Sequence, residues 1–580
     1  CELCLNLMQK LEIITNNVGM SNVCLVPFAF LFMRGQMIKT LSLVASECQK
    51  VKYLIPELPR PPEDTKDSYE GAEVLEPTPA IFLKNPVSVL DYGSLYPSSM
   101  IGSNISHDTI IVEPEYQGES GAKLLESMGI KFQDISYDNY YQVLQGKTWV
   151  KKVDEKNPVV NCRYIQPPID PETGNIDDTK RGILPRILMK LLAARKATRA
   201  QIKKEKDPFR RSVLDGLQLA YKVTANSLYG GVGAEVSSLY YKDIAASTTA
   251  VGRRHLHLAK DYVKQHYPNA DIVYGDTDSI FVNFNVHKGL EQELSNSEAL
   301  QKSIDLSVEV ENGIQSLLEY PHKLEYEKTF YPFLLLRKKG YVGNKYEFDL
   351  NKYKQSSMGV VTKRRDNAPI VKYVYDGIIK RIMNDRDIQA AIQFLLDCFK
   401  KILKGDFPIQ YFIVTKQLKA QYAFPDKVVH KVLADRMGER DPGNKPQSND
   451  RIPYAYVTTK TVPKLQGDRV EHPDYIKEKN LKIDYLFYIT NQIQKPVCQV
   501  FALALEELRI HGYKLPIDHF DRMKKQLQNG EKQLEPSKIR EKIMDKKMDE
   551  VYKVLFKKMV EIEEGKRYGQ KQISDFFSKR

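Results

Sequence analysis

Cysteine is scarce in this chain: seven residues, at positions 1, 4, 24, 48, 162, 398 and 498, are spread over 580. Only Cys1-Glu2-Leu3-Cys4 has the spacing of half a metal site, and no second ligand pair follows it, which argues against zinc and against a disulfide scaffold. The cysteines are expected to be the reduced thiols of an intracellular protein. Tryptophan occurs once. Long hydrophobic runs are missing too. The most apolar stretch, 23–33, is broken by Pro27 and falls well short of the ~20 residues a bilayer span needs, so neither a transmembrane segment nor a membrane partner is expected. Aspartate is absent before Asp64.

What is present is basic and globular. Lys and Arg number 87 against 74 Asp and Glu, a formal net charge of +13. Such an excess favours polyanionic partners, nucleic acid first, through long-range attraction and counterion release. A hydrophobic content of 42% with 28% charged residues excludes a wholly disordered chain. At about 150 residues per domain, the length suggests three or four structural units.

Along the chain, Leu3, Leu7, Met8, Leu11 and Ile14, then Leu41, Val44 and Val51, recur at helical spacing and predict helix, loop, helix over 1–56. Pro56, Pro59, Pro61 and Pro62, followed by Glu63, Asp64 and Asp67, mark a linker and a boundary near 60. Residues 86–91 read as a short apolar strand ending in Asp91, with Pro97 suited to the first turn of a following helix. Residues 101–180 are Tyr-rich and irregular, and their elements are left unassigned. Leu184–Lys204 is a basic helical pattern. Asp207-Pro208 then gives a cap and an N1 proline for a second helix, Phe209–Tyr229, so the pair forms a long antiparallel hairpin. Residues 271–284 read as two short strands around a Gly/Asp turn. Beyond 365 the pattern is mainly helical, and the tail from Gly565 is basic.

Carboxylates come first among groups that could carry chemistry. Asp91 ends one strand, and Asp276 and Asp278 sit in the turn between two others. If these strands share a sheet, two or three acids converge, which is reasonable only if divalent cations neutralise them. Hard oxygen ligands that leave positions open for phosphate suit Mg²⁺. The plainer alternative for Asp-Thr-Asp alone is a turn whose side chains cap their own backbone. On the helical hairpin, Arg195 and Arg199 lie one turn apart, and Lys222, Asn226, Tyr229 and Gly230 fall on one stripe. Fixed cations, an amide and a phenol suit the triphosphate and sugar of a nucleotide, and a glycine allows a base pair to approach closely. For the Arg pair alone, a solvated basic face explains as much.

Asp91-Tyr-Gly-Ser-Leu-Tyr-Pro-Ser98 resembles motif A of the family B DNA polymerases, Lys222-Val-Thr-Ala-Asn-Ser-Leu-Tyr-Gly230 their motif B, and Tyr274-Gly-Asp-Thr-Asp-Ser279 their motif C, in the family's order. Arg34-Gly-Gln36, Tyr69-Glu-Gly-Ala72, Leu191-Leu-Ala-Ala-Arg-Lys196 and Arg364-Arg-Asp366 extend the likeness over roughly residues 1–500. The relatives it is most similar to are delta-type replicative polymerases and those of large DNA viruses of eukaryotes, which implies work in a nucleus or a cytoplasmic viral factory. A catalytically silent DNA-binding relative would have no need for a repulsive acid cluster, and a metal-dependent nuclease would leave 222–230 unexplained.

The resemblance implies an α+β, right-hand polymerase: an antiparallel-sheet palm, helical-hairpin fingers and a mostly helical thumb, together a monomeric catalytic module. The divisions it implies are 1–60 as a remnant of the exonuclease-side helices, 61–180 as palm with an insertion, 181–230 as fingers, 231–355 as palm, 356–564 as thumb and 565–580 as a tail. It implies template-directed, primer-dependent DNA synthesis from deoxynucleoside triphosphates with two Mg²⁺ ions. Asp91 and Asp278 would hold the ions with Asp276 assisting. Ser94, Leu95 and Tyr96 would meet the triphosphate and sugar, with the Tyr96 ring excluding a 2′-hydroxyl, and Arg195, Arg199, Lys222 and Asn226 would grip the phosphates. Position 199 is often Lys in relatives, so Arg keeps the charge but changes the geometry.

Primer–template DNA would be contacted by Tyr229, Gly230, Arg364, Arg365 and the Lys338-Lys339-Gly340-Tyr341 stretch. There Gly340 replaces the family's usual Arg and puts one contact in doubt, leaving Lys338, Lys339 and Tyr341 as candidates. The chain starts just after the expected position of the last acidic motif of the family's exonuclease, so no proofreading site is expected. Gln570, Ile573, Phe576 and Phe577 resemble a sliding-clamp-binding motif. The cysteine-rich C-terminal module of delta-type relatives has no counterpart here, which favours a viral-type architecture.

Overall fold

The protein is described by a computed structural model covering residues 2–55, 65–145, 148–170, 174–363, 366–459, 465–507, 519–529 and 534–567. It packs as two units that interleave along the sequence: Cys1–Leu75, Val89–Val282 and Asp305–Glu327 form the first, and Glu76–Ser88, Asn283–Ile304 and Lys328–Arg580 the second. The first 75 residues thus pack with the unit that follows the proline-rich stretch. Among the described residues no helix is long and apolar enough to cross a membrane, and the described cysteines are free thiols.

The first unit opens with helices α1 (Glu2–Lys10), α2 (Ile13–Cys24), α3 (Phe30–Met33) and α4 (Met37–Val51). The hairpin anticipated from sequence is α7 (Ile183–Lys204) and α8 (Pro208–Gly233). The Asp207 carboxylate accepts the Arg210 N–H at 2.7 Å and caps α8. The free N–H groups that begin α7 are met from a distant loop: Gly182 N donates to Asn104, and Ile183 N to Asp108, at 2.9 and 3.1 Å. The N-terminal helices brace this hairpin. Cys24 Sγ lies 3.2 Å from Thr224 Oγ1, and Lys190 Nζ is 2.7 Å from Glu47. Burial would raise the Glu47 carboxyl, but hydrogen bonds from Lys190 and Lys50 hold it below its usual range.

Residues 101–180, left without elements by the sequence, hold α6 (Gly118–Ser127) and a sheet. Strand β6 (Phe132–Gln145) is central, between β1 (Thr65–Tyr69) and β8 (Val159–Ile165). Strand β5 (Ile110–Ile111) pairs with β8, and β7 (Thr148–Val153) with β6. Ile135 and Tyr137 of β6 point inward while Asp134, Ser136 and Asp138 are exposed, the alternation of a half-buried strand. A second group of strands in this unit runs β4 (Val87–Tyr92), β10 (Ser279–Asn283), β9 (Asp271–Asp276), β2 (Val74–Leu75). Helices α5 (Leu95–Gly102) and α9 (Lys242–His266) complete what positions the site.

In the second unit, β3 (Ala80–Phe82) and β12 (Gly340–Tyr346) flank β11 (Leu324–Arg337), and β13 (Tyr353–Met358) pairs with β12, all antiparallel. Helix α10 (Asn296–Ile314) starts here. The large core is built from α11 (Pro369–Lys380), α12 (Ile388–Lys404) and the helical segments around Phe487–Leu505 and Val551–Val560. The region from 356 on is not purely helical. It contains the antiparallel sheet β14 (Val414–Gln417), β15 (Arg451–Tyr456), β16 (Val470–Glu471), where Val414, Ile452, Tyr454 and Val470 bury apolar area.

Candidate active site

Strand β4 is buried at every position except Asp91, which is half-exposed. Its next residue, Tyr92, donates its N–H to the carbonyl of Asp278 at 2.8 Å, so the β4 end and the β9–β10 turn are neighbours and Asp91 lies beside Asp278. The turn is tight: Asp278 N donates to Asp276 O at 2.7 Å, Thr277 N to Glu73 O at 3.0 Å, and Thr277 takes a left-handed φ of 63°. The Asp276 carboxylate accepts the Tyr274 hydroxyl and the Thr277 hydroxyl, each at 3.1 Å, and is thereby held to its own hairpin.

Among the described residues no three His, Cys, Asp or Glu side chains are grouped closely enough to hold an ion together. The described residues thus bring the Asp91 and Asp278 backbones side by side, while hydroxyls engage the Asp276 carboxylate. Two hard carboxylates fit an ion such as Mg²⁺, which keeps most of its coordination for water and phosphate oxygens.

After Tyr92 the chain turns through Gly93, whose N–H is taken by Lys323 O at 3.0 Å, and through Ser94 at φ 55° into α5. Leu95 is buried. The Tyr96 ring sits 4.6 Å from that of Tyr229 on α8, whose hydroxyl is 3.2 Å from the Tyr69 hydroxyl. Burial, then the negative charge of Asp278, pushes the Tyr96 phenol up to about 12; burial and the Tyr69 phenol raise Tyr229 as well. Three stretches far apart in sequence therefore meet at one cluster of tyrosines, its Tyr96 member within the field of Asp278. Arg253 of α9 fixes the approach of Tyr69 by donating to the carbonyls of Glu70 and Gly71 at 2.6 and 2.9 Å.

Along α8, Lys222 and Asn226 are exposed, and Tyr229 and Gly230 half-buried. A Cβ on Gly230 would meet nothing within 4 Å, so no internal packing demands glycine there. On α7, Arg199 is exposed. Arg195 is partly covered and donates to Gln218 at 3.4 Å; burial, then the charge of Arg199, lowers its guanidinium pKa.

A buried histidine pair lies behind α5, and sequence reasoning gave no sign of it. His255 and His322 stack at 3.8 Å. Tyr92 Oη donates to His255 O at 2.9 Å, and His322 Nε2 is 3.2 Å from Ser99 Oγ. Two histidines 67 positions apart make no motif, so nothing in the sequence could have paired them.

In the second unit, Lys338 and Lys339 form the β11–β12 turn, with Lys339 at φ 55°. The Tyr341 ring packs on Phe330 and Phe333 at 5.7 and 5.6 Å. Lys338 pairs with Glu76 at 2.5 Å, and Arg540 reaches the same carboxylate at 3.6 Å. These groups line a cleft of about 920 Å³ with Lys495, Lys524 and Lys547. Gly340 now has a local reason: a Cβ there would stand 2.7 Å from Arg337 Cγ, so the Arg337 stem occupies the space a larger residue would need. Arg364 and Arg365, and the tail residues Gln570, Ile573, Phe576 and Phe577, lie outside the described residues.

A family model for DNA polymerase family B matches residues 26–504. The DNA polymerase of Pyramimonas orientalis virus is 45% identical over 628 aligned positions, covering 100% of this chain and 49% of that protein. The DNA polymerase delta catalytic subunit of Drosophila melanogaster is 34% identical over 510, covering 86% and 42%. Among solved structures, the family B DNA polymerase from the hyperthermophilic archaeon Pyrobaculum calidifontis superimposes with a TM-score of 0.56 at 20% identity, over 88% of this chain and 55% of that one, a likeness of fold. The chain spans about half the length of the curated relatives it matches.

Proposed function

Because the chain belongs to DNA polymerase family B, we propose that it carries the site for primer- and template-dependent DNA synthesis, with deoxynucleoside triphosphates as substrates and pyrophosphate as product. The observation that carries this is the 2.8 Å bond from Tyr92 N to Asp278 O, which supports Asp91 and Asp278 acting together near the Tyr96–Tyr229 ring pair. In this reading the β4–β10–β9 strands belong to the palm, α7 and α8 are the fingers, and the region beyond residue 356 is the thumb.

Asp91 and Asp278 would hold Mg²⁺, which supplies neutralisation of the triphosphate and a lowered pKa for the primer 3′-hydroxyl. The protein does the positioning. Lys222, Arg195 and Arg199 hold the β- and γ-phosphates with Asn226 hydrogen-bonding beside them, so the α-phosphorus stays in line with the attacking oxygen. The first N–H groups of α5, at Leu95 and Tyr96, have no intrahelical partner and suit a phosphate oxygen together with the Ser94 hydroxyl. The Tyr96 ring, fixed from one side by Tyr229, occupies the place of a 2′-hydroxyl. Tyr229 and Gly230 meet the nascent base pair. Lys338, Lys339, Tyr341, Arg364 and Arg365 follow the primer–template duplex, and the tail motif from Gln570 to Phe577 engages a sliding clamp at intracellular sites of replication.

Asp278→Asn tests the core of this. It should lower primer extension with Mg²⁺ by at least about 10³-fold, since several kcal/mol of charge stabilisation vanish, while primer–template affinity stays within a few-fold. Extension at the wild-type rate would end the proposal.

A further inference from the structure

The outer face of the β1–β6–β7 sheet has no part in the site above. Residues directly opposite in a sheet share a face. Tyr140 pairs with Val153, Leu144 with Trp149, and Gln142 with both Lys151 and Lys66, so these side chains stand on one side of three strands. The other side packs inward: Tyr137 donates to Asp243 at 2.6 Å, and Asn139 accepts from Lys242 at 2.7 Å. The outer face is wet, with Leu144 and Val153 exposed at 46% and 47%. Its pairings with β1 and β7 hold no acid, and one carboxylate, exposed Asp138, precedes Tyr140 on the same side of β6.

Each ring on this face carries a cation. Lys66 Nζ stands 4.6 Å over the Trp149 ring, and Lys151 Nζ stands 3.6 Å over the Tyr140 ring. Lysines on an edge strand such as β7 guard against aggregation, but that purpose gives no reason for a partly exposed tryptophan beside them. Aromatic faces interleaved with ammonium groups are what sequence-tolerant single-strand binders use: the rings take unstacked bases, the cations take phosphates. Spacing favours an unpaired strand. Tyr140 and the partner of Trp149, Leu144, are four residues apart on β6, or ~13 Å along the strand, whereas neighbouring bases in a duplex strand are ~3.4 Å apart. Duplex bases also keep their π-faces stacked on one another. Lys242 of α9 donates to the Tyr140 carbonyl at 2.9 Å, so this end of β6 lies against the helix that carries Arg253.

We propose that this face binds single-stranded DNA, with one base on Trp149 and another on Tyr140 and with Lys66 and Lys151 moving from ring to phosphate. The class of ligand is argued from this face alone. Its source, unpaired template, rests on the polymerase reading.

Trp149 is the only tryptophan in the chain, so its emission reports on this face and no other. The whole chain is titrated with oligo(dT), with a blunt duplex of equal length and with poly-glutamate, while primer extension is assayed in parallel. Oligo(dT) should quench the emission saturably, and the other two should leave it unchanged. Tyr140→Ala should weaken oligo(dT) binding about 10-fold, the loss of one stacked base. Lys66→Gln with Lys151→Gln should weaken it several-fold and flatten its salt dependence. Absence of quenching at concentrations where the chain binds primer–template overturns the proposal; equal quenching by duplex or by poly-glutamate does so too, the latter pointing to an acidic protein partner. Quenching without primer extension would leave this inference standing and remove the polymerase reading.

Discussion

Gly252 of α9 lies under the Tyr96 ring: a Cβ there would stand 2.9 Å from Tyr96 Cε1 and 3.4 Å from Leu95 Cδ2. Carbon atoms prefer about 3.5–4.0 Å, so Gly252→Ala must push the ring by roughly 0.6–1 Å. The ring cannot simply slide away, because Tyr229 stands 4.6 Å from it and is tied to Tyr69. Two stability effects oppose each other. Alanine favours the helix by about 1 kcal/mol, while overpacking costs about 1–3 kcal/mol, so melting should move by only a few degrees. Catalysis should respond far more, since a misplacement of about 1 Å at a reacting centre can cost up to ~10²-fold. Single-nucleotide primer extension should show kcat/KM for deoxynucleotides lowered about 10- to 100-fold with unchanged primer–template affinity. A normal kcat/KM would refute the placement of Tyr96 against the incoming nucleotide.

Three further outcomes can be checked. Tyr96→Ala should admit ribonucleotides, read as the ratio of kcat/KM for deoxy- and ribonucleotides; an unchanged ratio would put the sugar gate elsewhere. Phe576→Ala with Phe577→Ala should abolish stimulation by a sliding clamp and leave basal extension intact, and loss of both activities would count against a docking peptide. Burial, with His322 and Arg254 beside it, pushes the His255 imidazole down to about 3, and burial likewise takes His322 down to about 4. The unfolded chain takes up both protons near pH 6.5 and the folded chain does not. Stability should therefore fall as pH drops from about 6.5 toward 4, and His322→Gln should make urea midpoints less steep with pH by about one proton; an unaltered slope would contradict the pairing.

Legibility followed the range of the interactions involved. The Asp207-Pro208 start of α8 and the turn at 276–278 are set by adjacent residues, and both were readable from composition and spacing. Strand β6 was not: its edge partner β1 lies some seventy positions upstream, and its tyrosines suit a strand, a loop or a surface equally. The grip on Asp276 was also hidden, because only three dimensions show which carboxylate the Tyr274 and Thr277 hydroxyls reach. Glu76 is one acid among many in the sequence, yet two cations from distant segments share it. Gly340 looked like a missing arginine, and its cause, the neighbouring Arg337 stem, shows only in three dimensions.

Thr277 holds a left-handed backbone at the turn between the two aspartates, a conformation that costs a residue with a Cβ about 1–2 kcal/mol and a β-branched one no less. Glycine at this position would remove that cost and give a tougher protein, but it would also delete the hydroxyl that grips Asp276. Directed evolution for heat resistance and directed evolution for turnover should therefore part company at this codon, the first drifting toward glycine and the second keeping threonine.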